Sequence, residues 1–512
     1  MYIKKSKSIA LVILFLAALS VSFYSVAAMP LTDSSQYQPL IVTGHYDDDI
    51  KRRPLLGLST DEGATWSYPM DITHSSLPQP FYEGELVASA CSDALCIAIG
   101  TYSDKVTKRP LLALSSDLGI TWSYPQDINS KLPDSFKFGW FTGSPNCSGT
   151  TCVAVGAYLS NKKYRPLLAV TRDAGVTWSY PEGIVAPDFP EEAMLYGASC
   201  VGTTCMAVGY HYPGTTYPLL ALSKDAGATW SYVSDSALPA PFYREHFSGG
   251  VSCSEALCII SGEYDNRKKP WPLLAVSKDK GETWRYPSEI TKSALPPHFM
   301  RGQLTGGSSC SGTLCIATGY FSDKTAERPL LAFTNDAGET WTYPNDIISN
   351  LPPSLLSGKF NDSSCNGNTC VAVGQYSDHE RTRPLLGVTT DGGVTWTYPP
   401  EITSPVLPTP FIEGGLNGVD CKGEVCLASG WYYYMDRIRG NTYMPLLAIS
   451  NNKGLTWSYS FSAVSKDVLP YPFFGGSFKG VLSSSITTLT PKSLKSLFDI
   501  AKRQAIQKSI VH

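Results

Sequence analysis

The stretch Ser59-Thr60-Asp61-Glu62-Gly63-Ala64-Thr65-Trp66 decides how this chain is read, because it returns seven more times. The pattern Ser/Thr-x-Asp-x-Gly-x-Thr-Trp recurs around Asp117, Asp173, Asp225, Asp279, Asp336 and Asp391, and an eighth copy carries Asn452 in place of Asp. Successive copies lie 52 to 61 residues apart, and eight of the 11 Trp belong to them. The chemistry of the motif is local. An Asp carboxylate accepts hydrogen bonds from turn N–H groups, Gly supplies a positive φ, and Trp covers the turn with a large apolar face. Asn452 keeps part of that acceptor capacity. Eight equivalent turns spread round a ring cannot converge on one ligand, so these residues are expected to be structural.

Around each copy the unit reads as four short strands. In the second unit these are Phe81–Ala90, then Cys96–Tyr102, Pro110–Ser115 and Thr121–Pro125, with turn residues between them. Four strands repeated at this period make a propeller blade. The expected fold is all-β: an eight-bladed β-propeller of four-stranded antiparallel blades, closed by pairing of N- and C-terminal strands, with a short C-terminal helix. The eight motifs resemble the Asp-box (BNR) repeats of sialidases and related propellers, from about Pro39 to Leu482. The resemblance implies that architecture. It does not imply an activity, because one fold hosts many.

All 14 cysteines fall in Cys-x4-Cys pairs: Cys91-Cys96, Cys147-Cys152, Cys200-Cys205, Cys253-Cys258, Cys310-Cys315, Cys365-Cys370 and Cys421-Cys426. Facing positions on antiparallel strands are close enough to bridge, so seven intrablade disulfides are expected, each closing a short loop and contributing roughly 2 kcal/mol. Zinc sites favour other spacings with His. Seven pairs against eight motif frames leave one blade, the first, without a pair. Leu40 stands at its second-Cys position and Ser483 at its first, so residues near 473–483 are expected to supply the strand missing before residue 39. Closure of this kind leaves no open sheet edge.

Charged residues are 17%, aromatics 12%, and Gly (43) and Pro (37) abound. That composition excludes coiled coils, helical bundles and disordered chains. With 41 Lys+Arg against 44 Asp+Glu there is no basic excess to neutralise phosphates, so nucleic acid is not an expected partner. Lys4, Lys5 and Lys7 precede an apolar run and small residues ending at Ala28, which reads as a signal peptide over 1–28. The expected order is then a lead-in over 29–38, the propeller over 39–484 and a basic amphipathic tail over 485–512. That tail suits packing on the propeller or peripheral contact with a membrane or partner. No later segment reads as a membrane span. The protein is expected to be secreted or periplasmic and monomeric.

Function is expected on the face formed by the strand 2–3 loops and the connections between blades, where copies differ. The eighth blade has fourteen residues between Gly430 and Pro445, where nine are usual. The excess carries Trp431, Tyr432, Tyr433, Tyr434, Asp436, Arg437 and Arg439, suited to stacking on sugars and to forked hydrogen bonding. Glu83, Arg244, Glu245, His246, Arg301, Gln303 and Glu413 are expected at the channel mouth. Glu83, Glu245 and Glu413 are the candidate carboxylates for glycoside hydrolysis, which needs two at about 5–9.5 Å. The Phe-Arg-Ile-Pro signature of typical sialidases is absent, so no catalytic residue is carried over. Arg53, Arg109, Arg165, Arg328 and Arg383 recur before the Pro in five of the eight blades and read as a structural contact. Asp47-Asp48-Asp49 reads as a solvated turn rather than a calcium site. No motif calls for a cofactor or metal. The leading expectation is a non-catalytic propeller that binds glycan or extracellular protein. The alternative is an exo-acting, sialidase-like glycosidase.

Overall fold

The structure is a computed structural model. It describes residues 39–483 except 73–76, 186–188, 234–242, 267–268, 291–294, 405–410, 437–439, 462 and 466. The segments 1–28, 29–38 and 485–512, and the residues Arg437 and Arg439, lie outside the described residues.

Eight separate antiparallel sheets follow one another as blades 1 to 8 of a β-propeller. Blade 2 is typical. Its strands are Glu83–Ser92, Leu95–Ser103 and Lys108–Ser115, hydrogen-bonded in that order. The second strand, LCIAIGTYS, is buried along almost its whole length because neighbouring blades cover both its faces. Its Gly100 is needed where the first strand bulges: a Cβ there would overlap the carbonyl oxygen of Glu85. The third strand tolerates Pro110 because it has no further neighbour at that end.

The fourth strand is shorter than the sequence suggests. It is a two-residue strand at Ser231–Tyr232 and Ser458–Tyr459, and a single bridge, such as Leu58 to Ser67, in the other six blades. Proline explains the difference. Six blades continue from this Tyr into Pro, which has no N–H to donate. Val233 and Ser460 stand there instead in blades 4 and 8, and their N–H groups reach the carbonyls of Leu220 and Leu447.

The motif folds into the turn between strands three and four. Thr65 N–H and Oγ1 donate to the two oxygens of Asp61 at 2.8 and 2.6 Å, and the Ser59 hydroxyl bridges Asp61 to Gly63 N–H. At Asn452 one bond reverses direction: Nδ2 donates to Thr456 Oγ1, while Oδ1 still accepts from Thr456 N–H. The same turn joins neighbouring blades. Gly63, at φ +86°, lies so close to Ile449 of blade 8 that a Cβ would overlap it, and Gly175 meets Leu114 of blade 2 in the same way. Two residues past each Trp, the hydroxyls of Tyr124, Tyr180, Tyr343, Tyr398 and Tyr459 donate to carbonyls of the preceding interblade connection, as Tyr124 does to Ile72 at 2.8 Å.

Seven disulfides bridge directly facing residues on strands one and two, each with Cα atoms 4.1 Å apart. Such bridges belong to an oxidising compartment. No helix among the described residues is long and apolar enough to cross a membrane. The ring closes in blade 1, where Gly475–Ser483 pairs antiparallel with Leu40–Asp47 and Leu40 faces Ser483. These two residues occupy the position held by a bridge in every other blade.

One carboxylate sits among the small residues of the inner strands. Asp362 of blade 7 lies between Gly307 and Gly418, accepting N–H bonds from Val419 at 3.0 Å and Ser363 at 2.8 Å. Burial pushes its pKa up to about 7, with Asp420 adding to the effect against those two hydrogen bonds. A raised carboxylate pKa means that the folded state holds the extra proton, so stability is highest below the unfolded value and falls as pH rises through 7. Thermal melts between pH 5 and 8 should show this decline, and Asp362→Asn should flatten it.

The motif carboxylates Asp173, Asp225, Asp279, Asp336 and Asp391 are shifted in the opposite sense. Burial opposes ionisation of Asp336, but the Thr340 hydroxyl and N–H, with Thr334, outweigh it and hold the group at about 2. That stability is present above the unfolded carboxylate range and is lost as pH falls towards 2. By the precedent of Asn452, Asp336→Asn should cost less than Asp336→Ala, for which about 2 kcal/mol is expected in urea unfolding.

Candidate functional site

The motif turns and the cystine hairpins share one face of the ring. Leu118 N–H of the turn in blade 2 donates to Ala94 in the hairpin of the same blade, and Ala174 to Thr150 in blade 3. The strand 2–3 loops therefore open on the other face. In blades 1, 2, 6 and 7 the loop is stapled by an Asp. Asp48 Oδ1 accepts from the N–H groups of Ile50 and Lys51, while Oδ2 holds Arg53 Nε at 2.6 Å. Asp104 with Arg109, Asp323 with Arg328 and Asp378 with Arg383 repeat the ion pair at 2.9, 3.1 and 2.7 Å. The recurrent arginines thus brace their own loops; Arg165 differs, approaching Glu191 at 3.9 Å. With Asp48 so engaged, the Asp47–Asp49 run makes an ordered turn. Among the described residues no group of three metal-ligating side chains converges.

A cavity of about 800 Å³ opens between blades 1 and 2. Asp47, Lys51 and Arg52 line it from blade 1, and Glu83, Glu85, Thr101 and Lys108 from blade 2. Arg52 stands between two carboxylates, 3.8 Å from Asp47 and 3.5 Å from Glu85. Behind them, His45 Nδ1 is 3.5 Å from Glu85 Oε2. Burial, with Arg52 and Lys479 nearby, drives the His45 pKa down to about 3, so the ring is neutral at physiological pH. Asp47 is shifted upward, by burial first and then by Asp48 and Glu83, against the pull of Arg52.

Of the three candidate carboxylates, only Glu83 lines this cavity. Glu245 is 2% exposed and accepts the Tyr286 hydroxyl at 3.2 Å, so it is packed inside blade 5 rather than at the channel mouth. Glu413 accepts the N–H of Thr382 from blade 7 at 3.3 Å. Arg244 and His246 line a smaller hollow of about 210 Å³ with Glu263, and Arg301 lines another of about 470 Å³ with Glu327. The sequence reading passed over Glu85 and Arg52. Their signal was present: at the position of Glu85 other blades carry Trp140, Met194, His246, Gln303, Lys359 and Gly415, so the site varies where its flanks repeat.

The insertion in blade 8 is not a loop. It lengthens a hairpin, with strands Val425–Asp436 and Gly440–Ser450 paired to their tips. Strand alternation then divides its aromatics. Tyr432 is 5% exposed and stacks on Phe411 at 5.1 Å, and Tyr434 joins the same core. Trp431 and Tyr433 turn the other way and form a half-exposed cluster with Tyr443. Tyr443 in turn adjoins Gly475, which pairs with the cavity residue Asp47. Tyr432→Ala should therefore cost about 3–5 kcal/mol of stability. Trp431→Ala should cost much less, a difference that denaturant unfolding would measure.

No family model matches the chain. A sialidase of Bacteroides fragilis (strain YCH46) is 24% identical over 189 residues, covering 36% of this chain and 33% of the sialidase. A xyloglucanase of Paenibacillus sp is 26% identical over 286 residues, 49% of this chain and 26% of that enzyme. The matches thus span a third and about a quarter of the length of these two relatives. Among solved structures, an ulvan lyase overlays with a TM-score of 0.42 at 11% identity, covering 75% of this chain and 95% of that one. Trypanosoma rangeli sialidase overlays with a TM-score of 0.36 at 14% identity, covering 75% and 70%. With eight motif turns in one frame on eight blades, and a sialidase among its relatives, the chain is a sialidase-like Asp-box β-propeller.

Proposed function

We propose that this propeller is a secreted glycan-binding protein whose binding centre is the cavity between blades 1 and 2. In this reading residues 1–28 are a removed signal peptide and residues 39–484 are the functional unit. One observation carries the proposal: a cavity of about 800 Å³ lined by charged donors and acceptors, with half-exposed aromatics on the blades either side. Sugar hydroxyls need many directional partners, and Asp47, Glu83, Glu85, Lys51 and Lys108 supply them. The pairing of Arg52 with Asp47 and Glu85 argues against an anionic sugar, because the guanidinium is already neutralised. The names of the two sequence relatives, a sialidase and a xyloglucanase, place them among carbohydrate-active proteins and fit a glycan ligand.

A second reading, a glycoside hydrolase, rests on the upward shift of Asp47 beside Glu83. A carboxyl group that retains its proton can act as general acid and a second carboxylate as base or nucleophile. In that case turnover should fall as pH rises through the raised pKa of Asp47, when the acid loses its proton. A glycan array followed by calorimetry, run beside a panel of fluorogenic glycosides, separates the two. Binding without turnover, weakened at least roughly tenfold by Glu85→Gln or Arg52→Ala, is the expected result. Turnover abolished by Asp47→Asn or Glu83→Gln would establish the hydrolase instead.

A further inference from the structure

We propose that blade 3 carries a second sugar subsite, built on Trp140, Phe138 and Tyr164, so that the ligand is a neutral β-linked oligosaccharide running from the cavity onto blade 3. This rests on the reading of the cavity as a glycan site and goes further by stating the ligand's length and class. Phe138 and Trp140 stack at 6.2 Å with an interplanar angle of 16°, and Tyr164 stands edge-on to both at 6.4 and 5.9 Å. All three are half-buried, each keeping part of its surface open. The blade does not need them. Facing the same positions of the second strand, blade 2 carries Glu83 and Glu85 and blade 7 carries Ser357 and Lys359. The aromatic set is continuous with the cavity, because Lys108 lines the cavity and places its Nζ 5.5 Å over the Trp140 ring.

The geometry points to a particular sugar shape. A pyranose with equatorial hydroxyls keeps its polar groups at the rim and presents axial C–H groups on both faces, which suits an aromatic ring. β-1,4-Glucans have this form in every residue. The cavity would then hold one residue by hydrogen bonds while the next stacks on Trp140. The arginines along this arc do not offer a free anion clamp, since Arg52, Arg53 and Arg109 each face a carboxylate.

Calorimetric titration of the full chain with glucose, cellobiose, cellotriose and cellotetraose tests this. Affinity is expected to rise with length, by roughly three- to tenfold for the residue that reaches Trp140. Trp140→Ala should erase that gain and leave the shortest bound sugar within about twofold, whereas Trp140→Phe should retain most of it. Circular dichroism melts check that the variants fold. Affinity independent of length, or a gain that survives Trp140→Ala, would overturn the second subsite and leave the cavity reading intact. A gain lost in Trp140→Ala but binding indifferent to Glu85→Gln would support blade 3 and overturn the cavity. If none of the four sugars binds at millimolar concentration, the glucan assignment is wrong.

Discussion

The molecule depends on one repeated joint: a turn that ties its own hairpin together and at the same time seats a glycine against the preceding blade. Within the turn, the Asp oxygens satisfy an N–H and two hydroxyls that would otherwise compete for water. Across the joint, Gly63 approaches Ile449 and Gly175 approaches Leu114 at distances that exclude any side chain. A blade is a small sheet with two apolar faces and could not bury both by itself. The joint sets the separation and order in which neighbours cover those faces, which is why second strands are apolar on both sides.

Concentrating the structural hydrogen bonds on the turn face leaves the opposite face free to differ between blades. There, Asp–Arg staples hold the loops of blades 1, 2, 6 and 7 without dictating the residues beside them. Blades 1 and 2 use that freedom for charge, and blades 3 and 8 for aromatic rings. The sequence of charged cavity and aromatic flank along blades 8, 1, 2 and 3 is a property of the closed ring, because the strand Gly475–Ser483, which follows blade 8 in the chain, completes blade 1.

The electrostatics follow the same division. On the turn face hydrogen bonds win over burial and hold carboxylates ionised, as at Asp225 and Asp336. Among the inner strands burial wins and raises Asp362, whose two N–H donors are too few to offset it. In the cavity, Asp47 is shifted upward by burial first, with Asp48 and Glu83 adding to it against the pull of Arg52.

From the sequence alone came the blade count, the seven Cys-x4-Cys bridges and the closure of the ring, because each is a local pattern repeated in register. The pairing of Leu40 with Ser483 could be counted out from residue spacing. Short fourth strands were legible too, in the Pro after six of the eight Tyr residues, though that signal went unread. Tertiary structure decided what depends on which way a side chain points and what lies across from it. Trp431 and Tyr432 are neighbours in sequence, yet strand alternation sends one to the surface cluster and the other to the core. Glu245 resembled a mouth carboxylate until Tyr286 was seen to hold it inside blade 5. The cavity itself joins Asp47–Arg52 of one blade to Glu83–Lys108 of the next, and only the packing of the two blades places Arg52 against Glu85.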